Sequence, residues 1–394
     1  MRTFFSKEPW SPEALMEAFL RSCARIELDD HASDRLCAAA ERVRDWPALI
    51  ARAEDHGLSP LLRRHVRSLG LQVPAIALRQ LDALAVRHRV TSHVQFAVLG
   101  DVLAALDASG ISSLVLKGAA LAPMLYPEPE LRPMRDLDIL VAPGDGVRAQ
   151  RVLRRMGFNA PLVSAMRHSH HHLPGAVCDR DGFRIMVEIH EDAITRDDPE
   201  TLSLRALSGP PHEVETGGRR FRCFGPVDML RHLCAHVLER RRETRLVNVT
   251  DLVEYATRHS NEIDWTLVAR EYPRVVNTIA LMHYVVPLPA ALDALRPPES
   301  VLAPAGVGQN LVPLATLQLR GKGLRQTVRE LLYPSPWWMH AYYGVPVHRP
   351  LFRVRWGRHV RTVAYWGLRR IRTAWSPWSG AAPIYCGVRS DDLA

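Results

Sequence analysis

Two aspartates, Asp136 and Asp138, stand one residue apart in Arg135-Asp136-Leu137-Asp138-Ile139-Leu140-Val141, a run that alternates charge with apolar bulk. On a strand, positions two apart share a face, so both carboxylates would point one way and Leu137 and Ile139 the other. Side by side the carboxylates repel, and a divalent cation between them removes the repulsion. Mg²⁺ takes oxygen ligands at about 2.0–2.1 Å and commonly shares its shell with substrate phosphates. The pair alone leaves a second reading open, an exposed edge strand with two solvated aspartates. Upstream, the apolar Ser113-Leu114-Val115-Leu116 stops at Lys117-Gly118 and passes into Ala119-Ala120-Leu121-Ala122. That is the pattern of strand, tight turn and helix, with Gly118 where a backbone must bend or come close to a ligand. Lysine is nearly absent from this arginine-rich chain; Lys7, Lys117 and Lys322 are the only ones. A compact ammonium at the turn suits a phosphate as a point charge.

The Lys117-Gly118 turn, followed by Arg132-Pro133-Met134-Arg135-Asp136-Leu137-Asp138-Ile139-Leu140-Val141, resembles the polymerase-beta-type nucleotidyltransferase superfamily. More narrowly, it is similar to an uncharacterised bacterial branch in which Lys-Gly replaces the usual Gly-Ser. The resemblance covers residues 96–192 and continues more loosely to residues 263–265. It implies a third carboxylate on a later strand, matched by Glu188 in Met186-Val187-Glu188-Ile189-His190. It also implies an enzyme that moves a nucleoside monophosphate from an NTP to an acceptor hydroxyl on a small molecule, peptide or sugar. Asp136, Asp138 and Glu188 would hold two ions, Mg²⁺ or Mn²⁺, roughly 3.5–4 Å apart. Glu188 would help deprotonate the attacking hydroxyl. Lys117 and Gly118 would grip the nucleotide, with Arg132 and Arg135 neutralising phosphate. The family's His-Leu-Pro element places His171 or His172 near a substrate phosphate, and Asp251 matches an aspartate of its helical segment. One departure stands out: the family's phosphate-binding serine is Ala119 here. That departure supports the alternative of a non-catalytic nucleotide-binding or accessory protein keeping the fold.

The elements that must position these residues follow from periodicity. Ser11-Pro12-Glu13 is a capped helix start. From Ala75 to Ala108 leucines and valines recur at helical steps, predicting one long helix that ends at Ser109-Gly110 and delivers the chain to the first core strand. Strand, helix, strand and helix then alternate, and a hairpin-like pair of strands flanks Asp181-Gly182. Helices return from Asp228 to Glu239, from Val247 to His259 and from Trp265 onward. The expected fold is α+β: a small mixed β-sheet nucleotidyltransferase core flanked by N- and C-terminal helical regions. The expected division is an N-terminal helical region (1–95), the α/β core (96–200), a helical domain (201–300) and a basic, Trp-rich region (301–394). His168, His170, His171 and His172 crowd too closely for a rigid tetrahedral metal site, and a loop across the cleft fits them better.

Six scattered cysteines, with no C-x-x-C pair, argue against a zinc ribbon and a disulfide framework. No stretch matches a membrane span or a signal peptide, so a cytoplasmic protein is expected. The net charge of +9 is concentrated near the C-terminus, where nine arginines lie between Arg349 and Arg389 with no carboxylate from residue 331 to 390. Six of the nine tryptophans lie past Pro336. A basic, tryptophan-rich amphipathic helix suits an anionic membrane surface at the inner face or an acidic partner, engaged through residues 333–389. The same helix could instead dock on the body with its tryptophans buried. No RNA-binding aromatic signature or zinc motif favours nucleic acid as the partner.

Overall fold

The computed structural model describes residues 11–161, 173–194, 200–238, 245–297, 332–334, 336–346 and 349–365. Five helices come first: α1 (Pro12–Cys23), α2 (Asp30–Ala40), α3 (Trp46–Asp55), α4 (Ser59–Ser68) and α5 (Ala75–Ala108). Their starts are chemically marked. The side chains of Ser11, Asp29 and Asp45 accept from the backbone N–H of Ala14, Ala32 and Ala48, satisfying donors that a first turn leaves open. The 34 residues of α5 span about 51 Å. Helix α5 runs unbroken across residues 95 and 96.

The core sheet is built from β1 (Ser113–Val115), β2 (Leu137–Val141), β3 (Ala176–Arg180) and β4 (Phe183–His190), in the order β1-β2-β4-β3. β1 pairs antiparallel to β2, β2 parallel to β4, and β3 antiparallel to β4. Helix α6 (Lys117–Leu125) follows β1, and α7 (Gly146–Arg155) follows β2. The β3–β4 turn is made by Asp181 and Gly182, both with positive φ (50° and 78°), the backbone a two-residue hairpin turn needs. Every residue of β2 is buried, so its side chains are covered on both faces. The fold is α+β.

A separate two-stranded hairpin, β5 (His212–Thr216) and β6 (Arg219–Cys223), falls within the stretch expected to be helical. Alternation in Arg219-Arg220-Phe221-Arg222-Cys223 accounts for it, since Phe221 and Cys223 are buried while the arginines are exposed. Helices α8 (Pro226–Val237), α9 (Leu246–Arg258), α10 (Trp265–Glu271) and α11 (Pro273–Met282) follow. They close back on the N-terminal helices: Arg25 pairs with Glu254 at 2.6 Å, and Val247 N–H donates to the His56 carbonyl.

The tail divides. Helix α12 (Pro336–Tyr343) packs on α11, with Trp338 fully buried, its Nε1 donating to the Leu238 carbonyl at 3.3 Å and its ring stacked on Tyr342. Helical residues 352–365 instead leave Phe352, Trp356 and Val360 at 72%, 55% and 42% exposure. Among the described residues, no helix is long and apolar enough to cross a membrane.

Candidate active site

Lys117 sits where β1 turns into α6, and its backbone takes the left-handed conformation (φ 47°). The turn's unusual dihedral is therefore carried by the lysine and not by Gly118. A Cβ on Gly118 would lie 2.1 Å from Arg132 Nη1, so glycine is needed there for close approach of a guanidinium. Lys117 Nζ donates to Asp138 Oδ1 at 2.8 Å.

The strand register explains what surrounds that contact. β2 and β4 run parallel with Asp138 directly beside Glu188, and His190, two residues on from Glu188, returns to the same face. His190 Nε2 donates to Asp138 Oδ1 at 2.6 Å and lies 3.8 Å from Glu188 Oε2. Asp138, Glu188 and His190 are all buried, and each offers a donor atom within 4.8 Å of the other two. Burial alone would raise the Asp138 pKa, but the Lys117 ammonium and the His190 ring hold it well below the usual carboxylate range. Burial likewise works against the charge on Lys117, and Asp138, Asp136 and Glu188 outweigh it, so its pKa is raised. The centre is an ammonium facing buried carboxylates.

Behind the turn lies a second polar cluster. Arg132 makes a two-pronged pair with Asp251 of α9, Nη2 to Oδ2 at 2.6 Å and Nε to Oδ2 at 3.1 Å. The Tyr126 hydroxyl donates to Asp251 Oδ1 at 2.8 Å. All three residues are buried, so the helical region reaches the turn through Asp251, Arg132 and the bare Cα of Gly118.

A family model described as an uncharacterised nucleotidyltransferase matches residues 42–275, more than half of the chain. The chain belongs to this family. No curated protein matches it. Among solved structures, it is similar to the antibiotic-resistance factor ANT(2'')-Ia at 14% identity, covering 43% of this chain and 87% of that one, with a TM-score of 0.30. It is also similar to an antigenic nucleotidyltransferase-like protein from Paracoccidioides brasiliensis at 13% identity, covering 48% and 93%, again with a TM-score of 0.30.

Within this family member, Lys117, Asp138 and Glu188 come together. Asp136 precedes β2, is half-buried, and acts electrostatically on both Lys117 and Arg132 without belonging to the compact donor set. Arg132 is turned to Asp251, and Arg135 is exposed with Nη2 3.5 Å from the Asp55 carbonyl. His171 and His172 lie outside the described residues. Ala119 is 1% exposed and packs into the hydrophobic core. Two residues escaped the sequence-based reading. His190 was signalled by its two-residue spacing from Glu188. His232 of α8 had no such signal; its Nδ1 donates to the Ala193 carbonyl at 3.0 Å, and burial, reinforced by Lys117, pushes its pKa down to about 3.

The nucleotidyltransferase fold typically uses a divalent metal. Two buried carboxylates and an imidazole with converging donor atoms are a suitable ligand set for such an ion.

Proposed function

We propose that the protein transfers a nucleoside monophosphate from an NTP to an acceptor hydroxyl. The observation that carries this reading is the meeting of Asp138, Glu188 and His190 across the β2–β4 register, against Lys117 at the left-handed turn. The acceptor oxygen attacks the α-phosphorus, the bond from that phosphorus to the bridging oxygen breaks, and pyrophosphate leaves. Glu188 takes the hydroxyl proton. Lys117, paired with Asp138 in the free protein, turns its ammonium to the phosphates when nucleotide enters. In the free protein His190 steadies the Asp138 carboxylate through its 2.6 Å hydrogen bond. Asp138 and Glu188 would hold a divalent cation, and Asp136, which acts electrostatically on Lys117, would help to hold a second. When bound, such ions neutralise phosphate charge and lower the barrier at the α-phosphorus. Catalysis is then mostly positioning and electrostatics. Ala119, buried in the core, offers no hydroxyl where the superfamily has its serine, so in this reading the phosphate grip falls to Lys117.

The test is incubation of the protein with each α-labelled NTP, Mg²⁺ or Mn²⁺ and pools of sugars, peptides and small alcohols. Label transferred with equimolar pyrophosphate is expected, and Asp138→Asn should lower it by a factor of at least about 100. NTP binding without transfer to any pool would favour the accessory-protein reading. The exposed Phe352, Trp356 and Val360, set among Arg349, Arg353 and Arg361, suit peripheral contact with an anionic bilayer. Flotation with phosphatidylserine vesicles at low salt, reversed at high salt, tests that contact.

A further inference from the structure

We infer that His190 is itself a metal ligand and that it biases the site toward a transition-metal dication such as Mn²⁺ over Mg²⁺; this rests on the metal site of the proposed function. A site built only from carboxylates is a hard-oxygen site and serves Mg²⁺ well. Here the third donor of the compact set is a nitrogen. Its position follows from β4, where Glu188 and His190 share a face, and from the parallel register, which sets Glu188 beside Asp138 and His190 two residues further on, beside Leu140. His190 is 1% exposed and Asp138 2%, so water competes little for the space between them. One atom, Nε2, faces both carboxylates, at 2.6 Å from Asp138 Oδ1 and 3.8 Å from Glu188 Oε2. A cation bridging Asp138 and Glu188 therefore meets that nitrogen.

The preference follows from ligand chemistry. Mg²⁺ demands oxygen in a near-octahedral shell and gives up water reluctantly, so an imidazole edge is a poor substitute for a water. First-row transition-metal dications accept imidazole together with carboxylate, and Mn²⁺ combines that tolerance with the charge and coordination that phosphate chemistry needs. When the ion enters, Nε2 gives up the proton that it donates to Asp138 in the free protein, released to solvent or carried instead on Nδ1, and its lone pair becomes the element that discriminates between ions.

The experiment is calorimetric titration of the full chain with MnCl₂ and with MgCl₂, and pulsed electron paramagnetic resonance of the Mn²⁺-loaded protein, which detects a directly bonded imidazole nitrogen. Mn²⁺ is expected to bind at least about tenfold more tightly than Mg²⁺, a difference of about 1.4 kcal/mol, with a clear nitrogen coupling. His190→Asn, which offers an amide oxygen instead, should keep Mg²⁺ binding, lose the nitrogen coupling and reduce the Mn²⁺/Mg²⁺ affinity ratio at least about fivefold. The nitrogen signal is read on the wild-type protein, so the result stands even if that variant folds poorly. Bound Mn²⁺ without nitrogen coupling, or an unchanged ratio in His190→Asn, overturns this inference and leaves the metal site intact. Failure of both ions to bind, with or without NTP, overturns the metal site as well.

Discussion

Lys117 holds a left-handed backbone at φ 47°, where the Cβ of an L-residue crowds the following carbonyl at a cost of about 1–2 kcal/mol. Strain of this kind is kept where the surroundings over-determine it, and here the ammonium is fixed on a buried carboxylate. The strain can be measured by comparing two truncations that both remove the charge. Lys117→Gly should be more stable than Lys117→Ala by about 1 kcal/mol, because only alanine retains the offending Cβ. In an ordinary helical turn alanine is the better residue by about the same amount, so the expected order is inverted. Urea denaturation of both variants decides it, and alanine at least as stable as glycine would contradict the strain. Neither variant should bind NTP with wild-type affinity.

The link between α9 and the β1–α6 turn is an arrangement of elements, and its energetics should show coupling. Arg132 is the far end of a flexible side chain, but the two-pronged pair with Asp251 locks it against Gly118. Gly118→Ala must expel the guanidinium and leave Asp251 buried without its cation, a loss of about 3–5 kcal/mol for a buried pair. In an Arg132→Met background the pair is already gone, so adding Gly118→Ala should cost clearly less. A double-mutant cycle should return a coupling of about 1–3 kcal/mol, whereas strictly additive losses would mean that the turn and α9 are independent. Asp251→Asn, which loosens Arg132 against the turn, should weaken nucleotide binding through a displaced Lys117. Arg132 and Asp251 lie 119 residues apart in the chain. Arg132 was legible as a cation beside the aspartates, but its partner was not, because a pairing at that separation depends on how α9 packs.

Across the whole molecule, stability should be sensitive to acid. Burial pushes the pKa of His56 down to about 4, with Arg52 and Arg245 adding to it, and that of His232 to about 3. Above pH 6.5 both are neutral, folded or unfolded, and nothing is lost. Below it the unfolded chain gains protons that the folded one refuses, so stability falls as pH drops from 6.5 toward 4. The slope is up to about 1.4 kcal/mol per pH unit for each group. Denaturant midpoints at pH 7, 6 and 5 should show this, and His232→Asn should flatten the fall. Packing of α12 gives another whole-molecule expectation: Trp338→Ala, at a fully buried site, should cost about 3–5 kcal/mol. A Trp356→Ala change at a 55% exposed position should cost little. These two tryptophans mark the limit of sequence reading. Local rules were enough for α5 and for the β3–β4 turn, because the period of 3.6 and turn chemistry act over a few residues, whereas Glu188 was reached only through the family resemblance. His190 stands two residues on from Glu188 and so shares its face on β4, yet an i, i+2 spacing says nothing of which strand lies alongside. Only the parallel β2–β4 register sets Asp138 against Glu188 and His190. Only the packing of α12 on α11 decides which tryptophans are buried, since burial is a property of the assembled surfaces and not of the residue or its neighbours in sequence.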